Sequence, residues 1–374
     1  MATAVLRLLG LLCTALALVA CAPGASPTRP AAPAPAAPPA APAAAGVATP
    51  APALVRVRMA TQNNASDVAA YIAADYGYFQ QEGIDLEFVS FASASEMMPA
   101  LATGQVDISS IAGNPAAWNA IARGVKFKVV LDKGSFYGGY GDQHVVIRRE
   151  LYERGRGQRI EDLRGLSIAI TPPGKGTVSA CALAAGLQRV GLTLDDVNIQ
   201  PLSFPDMVAA FANGAVDAGM VSEPFLAEVL RQGTGVKVFS VGDLYPGFQF
   251  GMAGFSDELY ANRPVAKAWV RAYLRAARAY NAALAGRPGE LTRDQVDESV
   301  ARHTRIDVAA VRQMAPPGIH PNGQPHRDSV LYCYRFFREQ GLVPEPVPDA
   351  AFAALWGTDL LEEVLAEIGR VPES

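Results

Sequence analysis

The stretch from Asp206 to Pro224, DMVAAFANGAVDAGMVSEP, is the feature that most constrains how this chain can fold. Its first half has apolar residues at helical spacing and ends at Asn213-Gly214, a typical helix stop. Its second half, from Val216 to Val221, is a short apolar run of the kind that forms a buried strand. We therefore predict a helix, a glycine turn, a buried strand and a polar loop that ends at Glu223-Pro224.

The same design occurs earlier in the chain, in the stretch MMPALATGQVDISSIAGNP at residues 97–115. Aligning Gly104 with Gly214 also aligns Asp107 with Asp217. Two similar α/β units, each presenting a polar loop after a buried strand, predict two lobes that face a shared cleft. Because the aspartates recur at the start of both strands, we interpret them as structural and expect binding chemistry at the loop ends.

The N-terminal 53 residues differ in composition from the rest of the chain. Arg7 precedes an apolar run too short to span a bilayer comfortably, so we predict that residues 1–20 are a secretory signal. That run ends in LVAC, which is similar to a bacterial lipobox and implies lipidation of Cys21. Residues 21–53 are rich in Ala and Pro and cannot form a core, which predicts a flexible linker. We expect a protein outside the cytoplasm that is lipid-anchored to the bacterial cell membrane.

Composition and missing motifs exclude several classes of function. The formal net charge of −4, with no basic run, argues against nucleic acid as a partner. No G-x-S-x-G, H-E-x-x-H or paired C-x-x-C motif is present, so we expect no enzyme, no cofactor and no metal. His320 and His326 flank a Pro/Gly/Asn-rich stretch, which we interpret as a solvent-exposed loop and not as a metal site.

The order of the predicted elements indicates an α/β fold with two lobes. Strands and helices alternate up to Phe255, with the first helix starting at Ser66, and only helices follow Phe255. We predict that residues 54–145 and 245–374 form one lobe and residues 146–244 the other. The extra C-terminal helices should pack on the first lobe.

Cys181 and Cys333 remain once the signal and the lipid anchor are set aside. An oxidising compartment would permit a disulfide between them. However, Cys181 lies on an apolar helix face, so two independent buried thiols are at least as compatible with the sequence.

Two glycine-containing loops are candidates for ligand contact. The turn PPGKGT at residues 172–177 leads into a helix, and a helix start offers unpaired N–H groups to a negative group. The loop GSFYGGYG at residues 134–141 interleaves aromatic rings with glycines, so it either contacts a ligand or is a mobile surface loop.

Four segments, in order along the chain, resemble the substrate-binding proteins of ABC importers for nitrate, sulfonate and taurine. They are YGYFQQEGIDLE at 76–87, GQVD at 104–107, IEDLRGLSIAITPP at 160–173 and GAVDAGMVSEP at 214–224. The superfamily also includes binders of thiamine-precursor pyrimidines. The resemblance implies a two-lobed, periplasmic-binding-protein-like α/β fold of type II. It also implies a small-molecule ligand, an ABC permease and its ATPase as partners.

The resemblance also implies which positions face the ligand. The interpretation of the loop at residues 134–141 as a ligand contact adds Tyr137. Glu223 would repel a nitrate or simple sulfonate, so we expect a zwitterion or a neutral heterocycle that stacks on Tyr137 or Tyr140. Alternatively, Glu223 turns outward to a surface arginine. The candidate ligand-binding residues are Gln62, Asn63, Ser110, Gly113, Asn114, Tyr137, Gly174, Lys175, Gly176, Thr177, Glu223 and Pro224.

The expected function is capture of a small organic ligand between two lobes and its delivery to a permease. A lipoprotein that presents its ligand to a sensor is an alternative that the sequence leaves open. Some relatives synthesise a thiamine pyrimidine, but the export signal argues against such an enzyme here.

Overall fold

The computed structural model describes residues 53–91, 94–137 and 139–373, without the side chains of residues 94 and 95. All of them belong to one compact unit, Pro52–Ser374. The predicted signal, the lipidation of Cys21 and almost all of the predicted linker lie outside these residues. Within the described part of the chain, no helix combines the length and apolarity that a membrane span needs.

Two five-stranded mixed sheets form the centre of the two lobes. The first has the order β2-β1-β3-β10-β4, in which β10 is the antiparallel strand. Its strands are β1 (Val55–Thr61), β2 (Ile84–Ser90), β3 (Ile108–Ile111), β4 (Lys128–Ser135) and β10 (Gln249–Phe255). The second has the order β7-β6-β8-β5-β9, in which β5 is antiparallel to its neighbour β8. Its strands are β5 (Gln143–Arg148), β6 (Ser167–Ile170), β7 (Asn198–Pro201), β8 (Ala218–Ser222) and β9 (Gly235–Ser240).

Helices cover the sheets and follow them in the chain. Those interleaved with the strands are α1 (Val68–Asp75), α2 (Tyr78–Gln81), α3 (Ala94–Ala102), α4 (Pro115–Ala122), α5 (Arg149–Glu153), α6 (Val178–Gln188), α7 (Phe204–Asn213), α8 (Phe225–Arg231) and α9 (Val241–Leu244). The C-terminal helices are α10 (Asp257–Ala261), α11 (Arg263–Leu284), α12 (Arg293–Thr304), α13 (Val308–Gln313), α14 (Arg327–Glu339), α15 (Asp349–Ala354) and α16 (Thr358–Ile368). The α/β fold with additional C-terminal helices is thus confirmed.

The repeated stretch has the same local structure in both lobes. Gly104 and Gly214 follow α3 and α7 with φ of +70° and +74°, which explains why glycine stands at both helix ends. Asp107 accepts hydrogen bonds from the backbone and guanidinium of Arg58 on β1. Asp217 accepts from the backbone and hydroxyl of Ser167 on β6. Both aspartates tie the start of their own strand to a neighbouring parallel strand, so their expected structural role is confirmed.

Helix α14 corrects the prediction that the C-terminal helices pack only on the first lobe. It packs against α4 and β10 of the first lobe and also against α6 of the second. Cys333 on α14 forms a disulfide with Cys181 on α6 across 152 residues of sequence. Both residues are buried in a core that extends over both sheets. The pairing of the two cysteines, which the sequence left open, is therefore resolved as a disulfide.

Two local predictions are wrong. Ser66 is not the N-cap of the first helix, because a short 3-10 turn over Ala65–Asp67 precedes α1. The stretch between His320 and His326 is not a solvent loop, since His320 and Asn322 are 3% and 1% exposed. His320 donates its backbone N–H to the buried carboxylate of Asp132 at 2.6 Å, which draws this segment into the core. No group of three or more potential metal ligands occurs among the described residues.

Candidate functional site

Two of the predicted residues cap helices that start just after buried strands. Asn114 accepts from the N–H of Ala117 at the start of α4, at 3.0 Å. Thr177 accepts from the N–H of Ala180 at the start of α6, at 3.2 Å. Both α4 and α6 pack against α14. Two capped helices, one from each lobe, therefore pack against the same C-terminal helix.

The segment after α14 connects the same two regions. The side-chain amide of Asn119 on α4 donates to the carbonyl of Leu342 at 3.1 Å. A methyl group added at Gly176 would lie 3.9 Å from the Leu342 side chain and only 3.0 Å from Pro173. Gly176 thus allows the turn before α6 to come close to this segment.

The rest of the PPGKGT turn is already engaged in local contacts. Gly174 has φ of +69°, and Pro172-Pro173 is a cis peptide. The Thr177 hydroxyl donates to the carbonyl of Gly174, so it is used twice within the turn. The Lys175 ammonium is bound to the exposed carboxylate of Asp195 at 2.6 Å. In this arrangement neither the lysine charge nor the threonine hydroxyl is free for a ligand.

Glu223 connects the second lobe to the segment that follows α13. One carboxylate oxygen accepts from the N–H of Ala227 in α8 at 3.0 Å, and the other accepts from the N–H of Ala315 at 2.8 Å. Glu223-Pro224 is also a cis peptide. Burial raises the pKa of Glu223 against the lowering effect of these two hydrogen bonds. The alternative of an outward side chain paired with a surface arginine is therefore wrong for this structure.

A buried polar network lies directly beside Glu223. The Gln143 amide on β5 donates to Ser222 at 2.9 Å and accepts from Ser179 on α6 at 2.8 Å. Asp142 precedes this strand, and its carbonyl accepts from the N–H of Glu223 at 2.9 Å. Burial raises the pKa of the Asp142 carboxyl, and the positive charge of Lys133 opposes the shift. The site thus holds two neighbouring carboxyl groups with raised pKa values.

Lys133, whose charge acts on Asp142, is already paired with a buried aspartate. Lys133 on β4 forms an ion pair with Asp67 at 2.6 Å, and both side chains are almost completely buried. Asp67 also accepts from the Thr61 hydroxyl at the end of β1. Ser66 accepts a further hydrogen bond from Lys133 at 3.1 Å. Because this cation is fully partnered, it offers little to an incoming anion.

The other predicted residues of the first lobe lie at the ends of β1 and β3. Gln62 is exposed, and Asn63 has a left-handed backbone with φ of 54° and a side chain that hydrogen-bonds Ser90. Ser110 pairs with Ala253 of β10. Gly113 accepts from the Trp118 indole at 2.9 Å. A methyl group added at Gly113 would lie 3.3 Å from the Val330 side chain, so glycine allows close packing at this position.

Tyr137 lies in a different environment from the other candidates. Its ring is 4.6 Å from the ring of His320 and lines a groove with Arg278 and Arg287. No element of the second sheet lines that groove. The expectation that Tyr137 stacks on a ligand held between the lobes therefore has no support in this structure.

Sequence reasoning missed the interior partners of the site. Asp142, Gln143 and Ser179 were not singled out, although Asp142-Gln143 stands between the glycine-aromatic loop and a buried strand. A charged residue at that junction was the available signal. Lys133 and Asp67 gave no signal, because their pairing depends on a tertiary contact.

The architecture is that of known extracytoplasmic binding proteins. The periplasmic aliphatic sulphonate binding protein SsuA from Escherichia coli has a TM-score of 0.62 and 18% identity, over 82% of this chain and 92% of that one. The desulfurization enzyme DSZB shares the fold with a TM-score of 0.57 and 18% identity, over 84% of this chain and 99% of that one. At these identities the likeness shows the fold alone.

The chain belongs to the NMT1-like family, whose model matches residues 51–288. It is 30% identical over 213 residues to a putative aliphatic sulfonates-binding protein of Bacillus subtilis (strain 168), across 55% of this chain and 60% of the relative. It is 29% identical over 179 residues to the taurine-binding periplasmic protein of Escherichia coli (strain K12), across 48% of this chain and 52% of the relative. The match thus spans only half to three-fifths of these relatives. The resemblance to this superfamily is confirmed, and these relatives are named as binding proteins, not as enzymes.

Proposed function

We propose that this protein is a lipid-anchored, extracytoplasmic solute-binding protein that captures a small organic ligand between its two lobes. It then delivers the ligand to an ABC permease driven by its ATPase. In this proposal residues 54–145 with 245–374 form one lobe, and residues 146–244 form the other. The observation that carries the proposal is the Glu223 carboxylate, which joins the second lobe to the segment after α13 at 2.8 Å.

Ligand capture follows from such a contact if a ligand changes its stability. Separating the lobes would remove the Ala315 N–H from Glu223, while the bond from Ala227 within the second lobe would remain. A ligand that binds both lobes adds contacts only in the closed arrangement, so it shifts the population toward closure. Asn114 and Asp142 are the residues that we propose to meet the ligand. Thr177 would join them by exchanging the hydrogen bond that its hydroxyl donates to Gly174.

The charges of the site favour a ligand that carries an N–H donor or a positive charge. Asp142 and Glu223 supply neighbouring carboxyl groups, while Lys133 and Lys175 are both held by aspartates. A simple sulfonate or nitrate would bring a third negative group, and the further cation that acts on Glu223, Lys237, is exposed to solvent and therefore screened. A taurine-like zwitterion or an amino-substituted pyrimidine satisfies the carboxyl groups and leaves the helix N-termini for its other end.

A thermal-shift titration of the purified protein with matched ligand pairs tests this proposal. We expect taurine to raise the melting temperature more than ethanesulfonate, and aminopyrimidine more than pyrimidine. A ligand at 100 times its dissociation constant stabilises the folded state by about 2.7 kcal/mol, which such a scan detects. If ethanesulfonate raised the melting temperature as much as taurine, the proposed preference for an amine-bearing ligand would be wrong, but the binding function would stand. No shift by any ligand, together with hydrolysis of a chromogenic ester, would replace the binding function by an enzyme.

Lipid anchoring requires its own experiment. Metabolic labelling with a palmitate analogue should mark the full chain but not a Cys21→Ser variant, and the variant should leave the membrane fraction. Co-purification with a permease and an ATPase would support import. Binding to a sensor kinase in their place would favour the ligand-presenting alternative.

A further inference from the structure

Arg278 differs from the other positively charged residues of α11, because it forms no ion pair with a described residue. Successive cations on this helix pair with carboxylates of neighbouring elements. The paired cations are Arg263, Lys267, Arg271 and Arg275, whose partners are Asp359, Glu363, Glu367, Glu82 and Glu290. Arg278, one turn further on, donates only to oxygens of neutral groups. These acceptors are the carbonyls of Pro321 and Gly369 and the side-chain amide of Asn322.

Arg278 is therefore a fixed cation without a counter-charge among the residues that the structure describes. Its side chain is half-buried, and burial lowers its pKa with no opposing carboxylate. An arginine nevertheless stays protonated at neutral pH. A partly desolvated charge that three hydrogen bonds hold in place attracts an anion more strongly than an exposed one.

Arg278 lines a groove whose other walls suit an anion with an apolar body. The groove has a cavity volume of about 340 Å³, at the lower end of the range of small-molecule sites. A second arginine, Arg287, lines it and is exposed, with no partner in the described part of the chain. The Tyr137 ring and the rings of Pro288 and Pro372 supply apolar surface.

The carboxylates near this groove must be counted. Arg278 also lines a neighbouring groove with Glu82 and Glu290, but these two are paired with Arg271 and Arg275. Glu373 is 3.5 Å from the His320 ring and, after burial, contributes to the raised pKa of Tyr137. It stands against two guanidinium groups, so the groove keeps a net positive charge. The Tyr137 hydroxyl has no hydrogen-bond partner among the described residues and is available as a donor.

We propose that this groove, defined by Tyr137, Arg278 and Arg287, is a second binding site, for a small organic anion with an apolar ring. The carboxylate or sulfonate of such a ligand would meet the arginines, and its ring would lie against Tyr137 and the prolines. All lining residues come from the first lobe, so the site is separate from the ligand site between the lobes. It does not depend on the proposed function.

A calorimetric titration of the purified protein with benzoate tests the proposal, with benzamide as the neutral ligand of the same shape. We expect benzoate to bind and benzamide to bind at least tenfold more weakly. Arg278→Gln should weaken benzoate at least tenfold. Arg302→Gln is the matched control, because Arg302 is exposed and pairs with Asp75 on another face.

Two further variants separate the possible failures. Arg287→Gln changes an exposed side chain that makes no hydrogen bond or ion pair with the described residues, and it should weaken benzoate several-fold even if Arg278→Gln is poorly folded. Asp142→Asn, in the site between the lobes, should leave benzoate binding unchanged. Equal binding of benzoate and benzamide, or unchanged benzoate binding in both arginine variants, would overturn the proposal.

Discussion

At the scale of single residues, the site is set by carboxyl groups whose surroundings disfavour their charge. Asp142 is surrounded by protein on most sides yet partly reached by solvent, and its carbonyl is bonded to the Glu223 backbone. Burial raises the pKa values of both Asp142 and Glu223, and the charge of Asp142 raises the pKa of Glu223 further. A positively charged or N–H-bearing group between them would oppose both shifts.

The raised pKa of Asp142 predicts a pH-dependent effect of Asp142→Asn on stability. When the pKa of a carboxyl group is higher in the folded than in the unfolded protein, ionising that group lowers the free energy of unfolding. The protein therefore loses stability as the pH rises from the unfolded pKa through the folded pKa. The asparagine variant lacks this loss. We therefore expect its melting temperature, relative to that of the parent protein, to increase from pH 4 to pH 8. A difference that is constant with pH would contradict the raised pKa.

Because Glu223 accepts two hydrogen bonds, its substitution should lower the free energy of unfolding by an amount that depends on how many acceptors remain. Glu223→Ala leaves the N–H groups of Ala227 and Ala315 without their partner, and unpaired buried groups cost about 1–3 kcal/mol. Glu223→Gln keeps one oxygen and should lose less. Urea unfolding measures both variants. An alanine variant as stable as the parent protein would show that water replaces the carboxylate at no cost.

The positions of the candidate residues could be predicted from the sequence, but their hydrogen-bond and ion-pair partners could not. The sequence places Asn114, Thr177 and Glu223 at loop ends after buried strands, and the structure finds two helix caps and one connection between lobes there. The ion-pair partners of Lys133 and Lys175 could not be predicted from the sequence. Each lysine pairs with an aspartate that only folding brings close to it. Local pattern predicts which backbone groups need a cap, but it does not predict which distant acid neutralises a base.

At the scale of elements, the fold was largely readable from periodicity and glycine. The predicted strand from Val216 to Val221 is observed at Ala218–Ser222, and the last predicted strand ends at Phe255 as expected. The start of α1 was misjudged because Asn64 and Ser66 both offer capping oxygens and a 3-10 turn intervenes. The packing of α14 on two lobes was missed because an apolar helix face does not identify its neighbours.

The matching helix ends at Gly104 and Gly214 predict matching costs of substitution. Alanine at either position must adopt a left-handed backbone, which costs roughly 1–2 kcal/mol. Asparagine tolerates that conformation better, so Gly104→Asn and Gly214→Asn should each lose less than the alanine variants. Chemical denaturation of the four proteins measures this. Unequal costs at the two positions would show that neighbours, and not the shared turn, set the need for glycine.

At the scale of the whole molecule, the lobes are joined by backbone crossings and by the Cys181–Cys333 disulfide. Because it connects α6 of the second lobe to α14, lobe movements must keep this point of contact. Cys181→Ala/Cys333→Ala should lower stability by about 2–5 kcal/mol, the usual range for a native disulfide. The parent protein under reducing conditions should approach the same value. An equally stable double variant would show that the surrounding core suffices.

The disulfide also decides what a single break in the chain can do. A backbone cut near Gly286, between Cys181 and Cys333, would leave two fragments that remain covalently joined. A cut near Gly155, outside the closed segment, would release two separate pieces. Cleavage sites inserted at these two turns should therefore give nicked proteins that behave differently on a non-reducing gel. In an environment rich in proteases, the segment from α6 to α14 would survive nicking as one body.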